Sequence, residues 1–188
     1  MKLRNILPLV GAALLLAPTL RAADAQAATS RDGASGKATS GALHVAVIVH
    51  SKNPISEISL AELRQYFALE KRFWPNRSRV ALYMRPSKTK EQKVLLETIY
   101  EKSSRHLKKY WKRMVFMGDI PGEPSYAGTT KAAVDRVRRK KGGMSVIMGT
   151  KAPKGVKVLA IRLKKSGKAL RPGDAGYPLV YKPKPAKK

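Results

Sequence analysis

Apolar residues in this chain recur with two different periods, and the alternation between them outlines a fold. Leu43-His44-Val45-Ala46-Val47-Ile48-Val49-His50 is a near-continuous β-branched run, the pattern of a strand buried on both faces. Ser51-Lys52-Asn53-Pro54 predicts a turn. Ser59-Leu60-Ala61-Glu62 has capping-box spacing, and Leu60, Leu63 and Phe67 then share one helical face. The aromatic loop Phe73-Trp74-Pro75-Asn76 closes this unit. Val80 to Met84 predicts a second strand, broken by Arg85-Pro86-Ser87. With Ser87 as N-cap, a helix is expected to about Lys102, burying Leu95, Leu96 and Ile99. Another, from about Ser104 to Met117, carries Leu107, Tyr110, Trp111 and Met114 at i, i+3, i+4, i+7. After a Gly118–Pro124 loop, Thr130 to Lys141 predicts an amphipathic helix that Gly142-Gly143 would stop as a C-cap pair. Met144 to Met148 and Val156 to Ile161 read as two further strands. Strands alternating with helices imply an α/β domain with a mostly parallel sheet flanked by helices.

The ends of the chain follow other rules. Lys2 and Arg4 precede an apolar run from Ile6 to Leu16, and Ala23-Asp24-Ala25 and Ala25-Gln26-Ala27 are both A-x-A patterns. That is the layout of a cleaved secretion signal, placed at residues 1–27 with the cut between Ala25 and Ala27. The run is too short for a spanning helix, which needs about 20 apolar residues, and no later stretch is long enough. No cysteine lies near the cut, so no lipid anchor is expected. Residues 28–42, rich in Ala, Ser, Thr and Gly, read as a flexible leader. The folded part is expected over residues 43–180, followed by a Lys/Pro tail at 181–188. The compartment so implied is periplasmic.

Charge changes the picture next. The 188 residues hold 39 Lys and Arg against 12 Asp and Glu, for a formal net charge of +27. Cleavage after Ala27 removes three basic residues and one acidic one, which takes +27 to +25. Such a chain attracts polyanions and anionic surfaces in a salt-dependent way. One reading of the whole chain is therefore a basic envelope- or polyanion-binding module with no small-molecule ligand. With no cysteine, packing alone must hold the domain.

Chemistry-bearing motifs are few. His44, His50 and His106 have no metal-ligand spacing, and no nucleophile stands with a recognisable base. No catalysis, metal or cofactor is expected. The most informative segment is Val80 to Glu91, where a strand enters a hydroxyl-rich turn that opens a helix. First-turn amides are unpaired and the helix dipole is positive there. Ser87 and Thr89 could add hydroxyls, and Arg85 a bidentate fork for a tetrahedral oxyanion. Ser51, in the turn after the first strand, is a further candidate. The basic run Arg136 to Lys141 lacks interleaved aromatics for base stacking and reads as a solvated helix end.

The order of these elements resembles periplasmic phosphate-binding proteins of ABC transporters. The resemblance rests on Val47 to Ile55, on Ile58 to Phe67, and on Trp74 at the family's tryptophan position. Further along it rests on Arg85 with Ser87-Lys88-Thr89 against an arginine and Ser-Gly-Thr phosphate loop. Tyr110-Trp111, Phe116, Gly118 and Gly142 to Ile147 also fit, so it covers about residues 45 to 161. It implies a single lobe of a type 2 periplasmic-binding-protein-like fold. It further implies binding of phosphate or a similar oxyanion and a role accessory to an ABC permease or another envelope component. Lys88 stands where the family has glycine and could add a cation or fill the space the anion needs, and the aspartate that normally lies between the arginine and the serine is missing.

Overall fold

A computed structural model describes residues 43–164 and 167–183. The signal segment, the leader and the end of the Lys/Pro tail lie outside the described residues. The first strand, β1 (Leu43–His50), has Val45 to Val49 fully buried. Its odd-numbered valines face one core and Ala46 and Ile48 face another. A short β2 (Glu57–Ser59) leads into helix α1 (Leu60–Phe67). Ser59 caps it by accepting from the Glu62 amide at 3.1 Å. The return half of the box is not made, because the Glu62 carboxylate takes the Lys71 ammonium at 2.7 Å instead.

Strand β3 (Ala81–Met84) precedes α2 (Lys90–Val94), which widens into a π-helical turn over Leu95–Tyr100. Helix α3 (Ser104–Phe116) buries Leu107 and Trp111. Gly118 follows it at φ +76, a left-handed position that costs glycine nothing. Then come β4 (Ser125–Tyr126), α4 (Thr130–Arg139), β5 (Gly143–Met148), β6 (Val156–Val158), β7 (Ala160–Arg162), β8 (Ala169–Leu170) and β9 (Val180–Tyr181).

The main sheet runs β4-β3-β5-β1-β6, with β9 also on β1. β3 is parallel to β4 and β5, whereas β1 is antiparallel to β5, β6 and β9. Five strands therefore share one direction and β1 alone opposes them, so the sheet is mostly parallel with one reversed strand inside it. Helices α1, α2 and α3 cover the face of Val45, Val47 and Val49. Helix α4 covers the other face through Ala133, Val134 and Val137. Burial pushes the Tyr100 phenol on the first face well above its ordinary value.

Three sequence expectations need correction. The stretch Val156–Ile161 is two strands rather than one. At buried Leu159 the chain leaves β1 for a small sheet, β2-β7-β8. The Leu159 amide still donates to Val47 at 3.0 Å, while the next amide, of Ala160, donates to Ser56 at 3.0 Å. The folded part also extends past residue 180, because Tyr181 pairs with Leu43 in β9. Finally, Gly142-Gly143 is not a left-handed helix cap. Helix α4 ends on an extended Lys140 at φ −121, and a Cβ on Gly142 would sit 1.9 Å from the Arg79 carbonyl oxygen. The glycine is there for close approach: its carbonyl accepts from the Trp74 indole at 3.0 Å, and Trp74 stacks on Tyr66 at 4.3 Å.

This contact makes a test. Gly142→Ala is expected to destabilise the fold by about 1–3 kcal/mol through overpacking against backbone. A urea midpoint equal to that of the parent would contradict the close approach.

Candidate functional site

At the carboxyl ends of β3 and β4 the chain makes two loops, and Arg85 ties them together. It follows directly on β3 and is only 4% exposed. Its Nη1 donates to the Ala127 carbonyl at 2.6 Å, and its Nη2 lies 3.4 Å from the Glu91 carboxylate. The Ala127 amide donates back to Met84 at 2.8 Å. Glu91 and Gln92 are buried beside this pair in sequence. Arg85 Nε and Gln92 Oε1 are buried without a partner among the described residues. A polar cluster thus sits beneath the loop, where burial makes an unpaired group costly.

The loop itself differs from the sequence expectation in its cap. Thr89, not Ser87, is the N-cap of α2, accepting from the Gln92 amide at 3.3 Å. Its own amide and hydroxyl both donate to the Pro86 carbonyl at 2.9 Å. Pro86 sets this turn and moves the helix start two residues on, from the expected Ser87 cap to Thr89. Ser87 is thereby released from capping and is exposed. The hydroxyl of Ser104, the first residue of α3, donates to the Ser87 hydroxyl at 3.2 Å. Ser103 caps α3 by accepting from the His106 amide at 3.3 Å.

The starts of α2 and α3 therefore meet at one spot, with two hydroxyls between them. Helix starts carry partial positive charge, and α3 has 13 residues to build it. Lys88, Lys90 and Arg105 are exposed around the spot, with Lys90 Nζ 5.6 Å from the Tyr181 ring centroid. Donors, cations and solvent access suit a tetrahedral oxyanion.

The fold brings Arg85, Ser87, Lys88 and Thr89 together by chain connectivity. Ser51 is not among them. The register places Val49 and Leu82 both opposite Met144, and from there β1 and β3 run in opposite directions. Ser51 and Arg85 lie about five residue steps apart along the strands, roughly 17 Å, at opposite ends of the sheet. One small anion does not reach both. Sequence reading missed Glu91 and Ser104. Glu91 supplies a carboxylate to Arg85 from within the helix, on a chain that lacks the expected aspartate before Ser87. Ser104 lies 17 positions from Ser87, and no local motif links them. Trp74 and Trp111 are core residues. Arg136 lies over the Tyr83 ring at 5.8 Å, and Arg138 pairs with Asp135.

Comparison of this architecture with solved structures gives consistent matches. An ABC-type phosphate transport receptor from Vibrio cholerae matches with a TM-score of 0.51 at 12% sequence identity, over 64% of this chain and 46% of the receptor. PstS from Borrelia burgdorferi matches with a TM-score of 0.54 at 9% identity, over 74% of this chain and 55% of that chain. What they share is the fold. The architecture is a mixed α/β, periplasmic-binding-protein-like one, and this chain spans about half the length of those proteins. No protein-family model matches the sequence, and no curated protein matches it. Among the described residues no helix is long and apolar enough to cross a membrane.

The buried Arg85–Glu91 pair predicts an asymmetry. Glu91→Ala strands a buried guanidinium and is expected to cost about 3–5 kcal/mol. The double variant Arg85→Met/Glu91→Leu should recover most of that loss in urea unfolding. A double variant as unstable as the single one would show that the pair is not what matters there.

Proposed function

We propose that this chain is an exported solute-binding lobe that takes phosphate or a similar oxyanion at the meeting point of α2 and α3. The observation that carries the reading is the Ser87–Ser104 hydroxyl pair, 3.2 Å apart, set between two helix starts. Ser87 and Ser104 supply hydroxyl donors to the anion. Lys88 supplies a cation in place of the family's glycine, and Thr89 fixes the loop through Pro86. Arg85 holds the loop from below and keeps N–H groups beyond the two that it donates to Ala127 and Glu91. Charge-assisted bonds of this kind contribute about 1.5–3 kcal/mol each when water is kept out, and less where the anion stays wet.

Likeness of fold to a phosphate transport receptor supports the choice of ligand class. Fold alone does not carry function, so the hydroxyls and cations of the loop are the second support for this reading. The same likeness supports a role accessory to ABC-type uptake, with a permease or another envelope component as partner. Residues 1–27 would deliver the lobe to the periplasm.

Phosphate should raise the melting temperature at constant ionic strength, by an amount set by RT ln(1 + [L]/Kd), or about 2.7 kcal/mol at a hundredfold excess over Kd. Ser87→Ala/Ser104→Ala should remove the rise while leaving the ligand-free melt nearly unchanged, since both hydroxyls lie near the surface. An equal rise with chloride, or a full rise in the double variant, would rule the site out.

A further inference from the structure

Helix α3 has a face that its own fold does not use. Leu107 and Trp111 point to the core. On the opposite side Arg105, Lys109, Lys112 and Phe116 follow one another at spacings of four, three and four, all exposed. A helix gains from acidic residues in its first turn and loses from cations there, yet the first turn of α3 holds no acidic residue. None of these cations pairs with a carboxylate among the described residues. Helix stability therefore does not account for them.

The C-terminal end of the same helix carries exposed apolar side chains, with Arg113 Nε donating to Met117 Sδ at 3.5 Å. Phe116 is 92% exposed and Met117 60% exposed, the two largest exposures among the large hydrophobics of the described residues. Arg72 donates to the Asp119 carbonyl just beyond, which brings its neighbour Phe73, 59% exposed, to the same end of the molecule. A cationic stripe that ends in a cluster of protruding Phe and Met side chains matches one kind of partner: an anionic lipid surface. Headgroups would meet the lysines and arginine, and the acyl boundary would take the apolar tip. Nucleic acid would engage the charge but leave Met117 and Phe73 without a purpose.

We propose that α3 docks this protein onto anionic membrane surfaces, with Arg105, Lys109 and Lys112 on headgroups and Phe116 and Met117 inserted at the interface. This proposal shares only Arg105 with the oxyanion site.

The test is cosedimentation of the full chain with phosphatidylglycerol-containing and with purely phosphatidylcholine vesicles. The segment before residue 43 is common to all variants, so differences between variants report α3. Phe116→Ser/Met117→Ser should weaken partition onto the anionic vesicles about tenfold. Lys109→Ala/Lys112→Ala should weaken it more, at about fivefold per cation. Neither should move the melting temperature, because both pairs are exposed, and the charge variant should behave like the parent on phosphatidylcholine. Phe116→Trp should shift its emission to the blue on anionic vesicles. If the charge variant loses binding while the Phe116/Met117 variant binds like the parent, the face is a general polyanion patch and the membrane proposal falls. Unchanged binding in both variants overturns it as well.

Discussion

Everything in this fold hangs on the hydrogen bonding and burial of β1. Strand β5 occupies one edge of it over Val45 to Val49. The other edge is shared out: β6 covers Ile48 to His50, Leu159 and Leu179 bond Val47 and Val45, and β9 covers Leu43 and His44. Five consecutive residues with no solvent exposure leave no backbone group that water could satisfy. Each remote segment that reaches β1 is thus required, including residues near both ends of the described chain. Because β1 alone runs against its neighbours, its carboxyl end points away from theirs. That reversal puts the carboxyl ends of β3, β4 and β5 at one side of the sheet and Ser51 at the other.

What could be read from the sequence follows from how local each signal is. The β-branched run defined β1 to the residue, since burial on both faces writes a continuous apolar pattern. The Leu107/Trp111 spacing similarly marked α3. Contacts between distant residues left no such trace. Gly142 looked like a helix stop, but its reason is the Arg79 carbonyl and the Trp74 indole, 63 and 68 positions away. The Val156–Ile161 run kept its apolar character through a change of sheets, because both sheets bury it, so periodicity could not reveal the break. In the site, the hydroxyl-rich turn after β3 was legible, but the burial of Arg85 and its bonds to Ala127 and Glu91 were not. Nor was the shift of the cap to Thr89, because it depends on Pro86 accepting from both the Thr89 amide and hydroxyl. Ser104 was invisible because only folding brings it to Ser87.

The high positive charge acquires a geometry from this structure. Lys88, Lys90 and Arg105 are exposed beside the two helix starts, where the proposed small anion would find directed donors. The cations on the outer face of α3 lie away from that meeting point and are the ones proposed to meet a diffuse anionic surface. Arg105 lies between the two. One chain therefore separates a local demand for hydrogen-bond geometry from a delocalised demand for charge, and salt should weaken the second far more than the first.

The central claim is that a tetrahedral oxyanion sits where α2 and α3 begin. Titrating phosphate into isotopically labelled protein at fixed ionic strength, and following backbone amides by NMR, tests it most directly. Saturable shifts concentrated on Ser87 to Thr89 and Ser104 to His106, absent with chloride, are the predicted result. Small non-saturating shifts spread over exposed lysines and arginines across the surface would contradict it.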